Sequence, residues 1–357
     1  MLDISADHAR LFEWIVRGTE AEGLPRAVDG FVRAQAAERG EQAAELIREY
    51  GLPREAVKPE HLTAPAVWEA LLEDMPMTAL VRNLATMTRV GVLAPGSEQT
   101  SKVVAQLGDS ERIRRARVHP IALLAALRTY SSGRGARGRG AWNPVRELVD
   151  ALDAAFYTAF ENVEPAGTRL LLALDVSGSM TSGSVAGVPG LTPRDSSAAL
   201  ALVTAATEPT YEIVGFFAGR GGYRKSGRRV WAGYEDGLTP LAIGPRQRLD
   251  DVVKTVSDLP FGGTDCALPM LYAQNREREI DTFVIYTDSE TWAGDIHPVQ
   301  ALADYRRASG IPARLIVVGM VSNGFSIADP SDPGMLDVVG FDTATPQLIS
   351  AFARGEV

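Results

Sequence analysis

A helical first half followed by an α/β, doubly wound second half is the fold class this sequence predicts, and three observations predict it. Up to about Pro165, apolar residues recur near every 3.6 positions in segments rich in Ala, Leu, Glu and Arg, punctuated by Gly or Pro. Beyond that point, short apolar runs alternate with helical patterns, the mark of a parallel sheet covered by helices. One of those runs, Leu170-Leu-Leu-Ala-Leu174, leads directly into Asp175-Val-Ser177-Gly-Ser179. Such a run fits a strand buried on both faces. The acid and hydroxyls at its end fall where α/β folds place their sites.

In the first half, Thr63 is positioned to cap a helix that carries Pro65 in its first turn. Val67, Trp68, Leu71 and Leu72 then line one face. Pro76 opens the next helix, striped by Met77, Leu80, Val81, Leu84 and Met87. Ile121 to Leu127 is apolar almost all round, which predicts a buried helix. Phe156, Tyr157 and Phe160 close the last one. Helix after helix with short turns predicts stacked helical pairs. The boundary falls at Glu164-Pro165-Ala166-Gly167, dividing a helical-repeat domain (1–165) from an α/β domain (166–357).

In the second half the predicted strands are Arg169–Asp175, Tyr211–Phe217, Thr282–Asp288 and Ala313–Met320. The predicted helices are Ser196–Thr207, Arg248–Asp258, Cys266–Asn275 and Pro298–Ser309. Two loops are long, Thr181–Pro193 and Ala218–Gly237. Gly178 is placed to allow a tight turn after the first strand.

The bulk numbers exclude several classes. The 357 residues are 45% hydrophobic and 23% charged, as in a globular protein, with no run of membrane-spanning length and no signal peptide. One cysteine, Cys266, forms no internal disulfide, which implies a reducing, cytoplasmic setting; it reads as a small buried residue. A net charge of −9 argues against nonspecific coating of nucleic acid, and DNA is not an expected partner. Four isolated histidines offer no zinc spacing. No triad order, Walker loop or reactive-cysteine context supports catalysis. His119 and His297, each before a proline, read as helix starts.

Asp175-x-Ser177-x-Ser179 alone is a weak signal, but its context strengthens it. Thr264, in Gly262-Gly-Thr-Asp265, precedes a helix, and Asp288 ends the apolar run from Phe283. A doubly wound sheet would bring both to the edge that carries Asp175. The expected guest of such hard oxygen ligands is Mg²⁺ or another divalent cation. The competing reading has the serines capping the next helix with no metal. Asp265 reads first as a helix cap.

Charge is uneven. From Arg112 to Gly140 the chain holds eight arginines (112, 114, 115, 117, 128, 134, 137, 139) and no Asp or Glu. Arg112, Arg114, Arg115 and Arg117 would lie within two helical turns. Arg134, Arg137 and Arg139 sit in a Gly-rich loop. These seven are the candidate RNA contacts, binding phosphates electrostatically; a solvated helix face and a loop account equally for the composition. The Ala218–Gly237 loop alternates Arg220, Arg224, Lys225, Arg228 and Arg229 with Tyr223, Trp231 and Tyr234. A twisted β-hairpin explains this better than a base-stacking surface.

The metal-site combination resembles the von Willebrand factor A domain and its metal-ion-dependent adhesion site. That resemblance implies that Ser177, Ser179 and Thr264 approach the metal through hydroxyls. Asp175 and Asp288 would act directly or through water, and one position stays open for a partner's carboxylate or a water. From about residue 40 onward the chain also resembles the Ro autoantigen proteins, which carry the TROVE module. The stretches are Val67-Trp-Glu-Ala-Leu-Leu-Glu-Asp-Met-Pro-Met-Thr-Ala-Leu-Val-Arg-Asn-Leu84, Ala116-Arg-Val-His-Pro120, Leu152-Asp-Ala-Ala-Phe-Tyr157, Gly262-Gly-Thr-Asp-Cys-Ala-Leu-Pro-Met270 and Gly319-Met-Val-Ser-Asn-Gly-Phe-Ser-Ile-Ala-Asp329.

The resemblance implies an RNA-binding protein rather than an enzyme, with HEAT-like repeats closed into a ring by the A domain. It implies small structured non-coding (Y-like) RNA and misfolded RNA as partners, in a ribonucleoprotein of RNA quality control or turnover, with an exoribonuclease as a protein partner. The family's helical module is about twice as long as the part before Pro165. An open arc, or a ring built from more than one chain, is therefore expected. The alternative function is a metal-dependent protein-adhesion module on a helical scaffold.

Overall fold

The computed structural model describes residues 6–18, 23–135, 140–217, 237–259, 263–288, 294–321, 327–341 and 344–357. By packing, the chain falls into two compact units, Met1–Ala116 with Gly133–Ala154, and Arg117–Ser132 with Ala155–Val357.

The first unit is helical: α1 (Ala6–Arg17), α2 (Arg26–Ala36), α3 (Gly40–Tyr50), α4 (Pro65–Glu73), α5 (Met77–Arg89), α6 (Glu98–Leu107) and α7 (Ser110–Arg115). Consecutive helices pack on one another, α2 on α3, α3 on α4, α4 on α5 and α6 on α7. The anticipated stripes are the buried faces. Val67, Trp68, Leu71 and Leu72 of α4 and Met77, Leu80, Val81, Leu84 and Met87 of α5 are all interior. Trp68 is fully buried, and its indole N–H donates to Leu62 O at 2.8 Å, so the one polar atom of a large apolar side chain is satisfied. Thr63 does not cap α4. The cap position is Ala64, and the Thr63 hydroxyl instead donates to Glu60 O, closing a 3₁₀ turn.

The second unit holds α8 (Pro120–Ser131), the end of α9 (Arg146–Thr158), and a six-stranded sheet with its helices. The strands are β1 (Leu170–Asp175), β2 (Tyr211–Phe216), β3 (Leu238–Pro240), β4 (Thr282–Thr287), β5 (Arg314–Gly319) and β6 (Met335–Val339). Their order is β3-β2-β1-β4-β5-β6, parallel except for β3. The helices are α10 (Pro193–Thr207), α11 (Leu249–Ser257), α12 (Leu268–Asn275), α13 (Pro298–Ser309) and α14 (Ala344–Arg354).

All six residues of β1 and of β4 are buried, because helices cover both faces. Leu171 and Ala173 join Phe283, Ile285, Leu315 and Val317 in a core with residues of α12 and α13, Cys266 included. Leu170 and Leu172 point the other way, toward Leu200 and Val203 of α10 and Ile349 of α14. This is the period-two alternation of a strand, with apolar residues in both phases.

The helix that is apolar all round, α8, packs on α10 within this unit. His119 caps it as anticipated, Nδ1 accepting from Ile121 N at 3.2 Å, and His297 caps α13 in the same way. Tyr157, beside Phe156 and Phe160, accepts from Leu249 N at the start of α11 at 2.9 Å.

Two strands and one helix lie outside the predicted elements: β3, β6 and α14. The Ala218–Gly237 loop, with its anticipated hairpin, lies outside the described residues except for Gly237. None of the described helices is long and apolar enough to cross a membrane.

Candidate functional site

The strand order reverses between β1 and β4. From β1 the chain moves outward to β2, and from β4 it moves the other way to β5. The carboxyl ends of β1 and β4 therefore flank a crevice, the place where open α/β sheets bind ligands. Asp175 ends β1, and Thr287 and Asp288 end β4. α10 and α12 each carry the chain back to the start of the next strand, so their N-termini also lie at this edge, and with them Arg194 and Thr264-Asp265.

The crevice is tightly organised around Asp175, which is fully buried. Its Oδ1 accepts from Ser177 N at 2.8 Å, and its Oδ2 accepts from the Thr287 hydroxyl at 2.7 Å. Burial pushes its carboxyl up to about 6; the Thr287 and Ser177 hydrogen bonds oppose the rise, and the nearby charge of Asp288 adds to it. A buried carboxylate whose desolvation outweighs its hydrogen bonds is stabilised by a cation placed beside it, or else by a proton.

Ser177 Oγ and Ser179 Oγ stand 3.0 Å apart. Adjacent ligands of an octahedral ion with bonds of about 2.1 Å are separated by about 3 Å, so the two hydroxyls already have the spacing of one edge of a Mg²⁺ shell. Among the described residues no three His, Cys, Asp or Glu side chains cluster as a metal site, and any ion here depends on hydroxyls. The donor chemistry fits a hard divalent cation. Thr264 and Asp288 are both buried, Thr264 ahead of α12 and Asp288 after β4.

Asp265 is not the cap of α12 that the sequence suggested: the cap position is Ala267, without a side-chain cap, and the Asp265 carboxylate instead accepts from Ala267 N at 3.1 Å, closing the turn ahead of the helix. Its carboxylate also lies against Gly294, where an added Cβ would fall 2.4–2.7 Å from it. Gly294 has φ +95°, and this close approach together with that backbone requires glycine. Gly178 is a different case. It opens a 3₁₀ turn (Gly178–Thr181) without a positive φ, and a Cβ there would meet nothing within 4 Å.

Two residues that sequence reasoning missed shape this edge. Thr287 is one; its signal was a small hydroxyl residue at the end of the run from Phe283, immediately before Asp288. Arg194 is the other. It is buried, and its Nη2 donates to Val176 O at 2.7 Å and Ser177 O at 3.0 Å, the backbone that carries the two serines. Its signal was a cation two residues after Thr192, which caps α10 through a reciprocal Thr192–Asp195 pair.

The arginine stretch is less uniform than its sequence. The helix α7 ends at Arg115, and Arg117 lies beyond it with φ +49°, so the four arginines do not share two helical turns. Arg112 is half-buried and donates to Met75 O at 2.8 Å. Arg114 pairs with Glu111 at 2.6 Å, and Arg115 reaches Glu111 O at 3.4 Å. Arg114, Arg115, Arg117 and Arg134 are exposed. Arg134 forms an isolated β-bridge with Ala141. Arg137 and Arg139 lie outside the described residues.

The fold and the site define a class: a von Willebrand A-type α/β domain preceded by a helical-repeat module. The family described as the Ro60 vWA domain matches residues 169–353, and the TROVE domain matches residues 52–129. The chain belongs to the Ro family. It is similar to a protein named RNA-binding protein RO60 from Deinococcus radiodurans, at 46% identity over 93% of this chain and 59% of that protein. A protein of the same name from Caenorhabditis elegans is 40% identical over 97% of this chain and 50% of its own length. The crystal structure of the Deinococcus radiodurans Ro (RSR) protein superposes with a TM-score of 0.89 at 44% identity, covering 99% of this chain and 68% of that one. The chain thus spans about half the length of the curated relatives it matches.

Proposed function

We propose that this chain binds small structured non-coding RNA, Y-like RNA above all, as the RNA-binding part of a Ro-type ribonucleoprotein in RNA quality control or turnover. The observation that carries the reading is the 46% identity, over 93% of the chain, to a protein named for RNA binding. Exposed Arg114, Arg115, Arg117 and Arg134, with Arg137 and Arg139, are the proposed phosphate contacts. They hold the backbone of a folded RNA, which is read largely by shape and phosphates. Arg112, anchored on Met75 O, supports the fold beside them. The reading gives the chain no catalytic step and a cytoplasmic setting.

The edge at Asp175 is proposed to hold Mg²⁺ through Ser177, Ser179, Thr264, Asp175 and Asp288. A bound cation supplies an electrophilic position for an outside oxygen, and this is where a protein partner such as an exoribonuclease would dock. The buried Asp175 and the 3.0 Å serine pair support this reading.

Crosslinking the protein in its native cells, followed by sequencing of the attached RNA, tests the function. Recovery of one abundant structured small RNA is the expected result. Recovery of none overturns the RNA reading and leaves the metal-dependent adhesion module in its place.

A further inference from the structure

Arg194 occupies a position that physical chemistry disfavours twice over. It is a cation with 3% of its surface exposed. It sits in the first turn of α10, where the helix dipole favours negative charge. Along the same helix face Ala198, Ala201, Leu202 and Ala205 are buried and apolar, with the small polar Ser197 buried among them. A local rule broken this plainly marks a functional site more often than a packing accident.

What the side chain does there is specific. One Nη2 donates to two successive backbone carbonyls, Val176 O at 2.7 Å and Ser177 O at 3.0 Å. Those carbonyls flank the Cα of Ser177 and lead into Ser179, whose hydroxyl stands 3.0 Å from that of Ser177. Asp175 holds the same segment from the other end through Ser177 N. The segment is thus gripped at an N–H by a carboxylate and at two carbonyls by a guanidinium, which fixes the backbone that carries the paired serine hydroxyls.

We infer that Arg194 is a positioning residue of the metal loop, holding the Val176–Ser177 backbone so that the Ser177 and Ser179 hydroxyls are set for a divalent cation before the ion arrives. This rests on the metal reading above. Positioning and bare charge predict opposite signs. A fixed positive charge near the site repels a divalent ion, so if charge were the whole effect, removing it would tighten binding. If positioning dominates, removing it loosens the loop and weakens binding.

The experiment measures Mn²⁺ affinity, from the paramagnetic resonance signal of free Mn²⁺, for the full chain and three variants, each with its melting temperature in chelator. Arg194→Met removes the donor and the charge. Arg194→Lys keeps the charge and one donor nitrogen. Val203→Ala, on the same helix away from the loop, controls for lost packing. Expected are a tenfold or greater loss of affinity in R194M, partial recovery in R194K, and unchanged affinity in V203A despite a lower melting temperature. R194M binding as tightly as the parent, or more tightly, overturns the inference while leaving the metal site standing. A parent chain that binds no Mn²⁺ overturns both. If R194M does not fold, R194K carries the test: affinity equal to the parent's overturns the inference, and a loss that V203A does not share upholds it.

Discussion

The Thr287 hydroxyl donates to Asp175 Oδ2 at 2.7 Å, joining the carboxyl ends of β1 and β4 where the strand order reverses. The register places them side by side, since Leu174 faces Tyr286 one residue earlier. Both side chains are fully buried. Thr287→Val keeps the shape and removes the donor, leaving a buried carboxylate oxygen short of a partner at a cost of about 1–3 kcal/mol. A lower urea midpoint with an unchanged slope is the expected result, and T287S should restore most of the loss. An unshifted midpoint in T287V would show that the bond contributes nothing.

His119 makes the stability of the second unit depend on pH. Burial lowers its pKa from 6.5 to about 4. Its Nδ1 caps α8, and no hydrogen-bond partner reaches its Nε2 among the described residues. The unfolded chain takes up a proton here below pH 6.5 while the folded chain refuses it until about pH 4. Its contribution is therefore full above pH 6.5 and falls as the pH is lowered toward 4, by at most about 3 kcal/mol. Asn caps helices without titrating. His119→Asn should flatten the stability profile between pH 4 and 6.5, and a profile parallel to the parent's would contradict the burial argument.

Much of this was legible in the sequence because it is carried by local patterns. The stripes of α4 and α5, and the four parallel strands of the sheet centre, follow from periodicity that burial enforces directly. The missed elements are those where another requirement interrupts the pattern. β3 is a three-residue edge strand ending in Pro240, which has no N–H to give a ladder. In β6, Asp337 breaks the apolar run because its carboxylate accepts from Ala328 N. At the candidate site the convergence of an acid with two hydroxyls was readable from Asp175-x-Ser177-x-Ser179. Thr287 and Arg194 were not, since each acts on a segment distant in sequence.

Within the arginine stretch, the proposed RNA contacts and the anchored Arg112 should respond differently to substitution. Reversing Arg114, Arg115 and Arg117 to Glu should weaken binding of a structured small RNA at least tenfold. The slope of log affinity against log salt should fall by about 2–3, at roughly 0.7–0.9 for each phosphate no longer neutralised. Little stability should go with it, because the exposed Arg114–Glu111 pair is worth at most about 1 kcal/mol. Arg112→Ala should behave in the opposite way, costing about 1–2 kcal/mol through removal of the bond to Met75 O while the salt slope stays near the parent's. Gel shifts across a salt series, read beside a thermal melt, measure both; a slope unchanged in the triple variant would remove these residues from the interface.

Asp175 supplies the sharpest test of the cation. Its carboxyl is raised to about 6 by burial, so at neutral pH the ion-free fold carries a charge that costs about 3 kcal/mol relative to its unfolded reference. Asp175→Asn removes that charge and keeps a side-chain oxygen to accept from Ser177 N or Thr287. In chelator, D175N should therefore melt no lower than the parent, despite the loss of a fully buried native side chain. Adding Mg²⁺ should reverse the ranking. An ion that binds only the folded state stabilises it by about 2.7 kcal/mol at a hundredfold excess over its dissociation constant, and D175N lacks the buried Asp175 carboxylate that the proposed site depends on. The parent's melting temperature should rise with Mg²⁺ while the variant's stays flat. Equal shifts in both proteins would place the ion elsewhere, and a variant that melts far below the parent in chelator would mean that this carboxylate serves the fold itself.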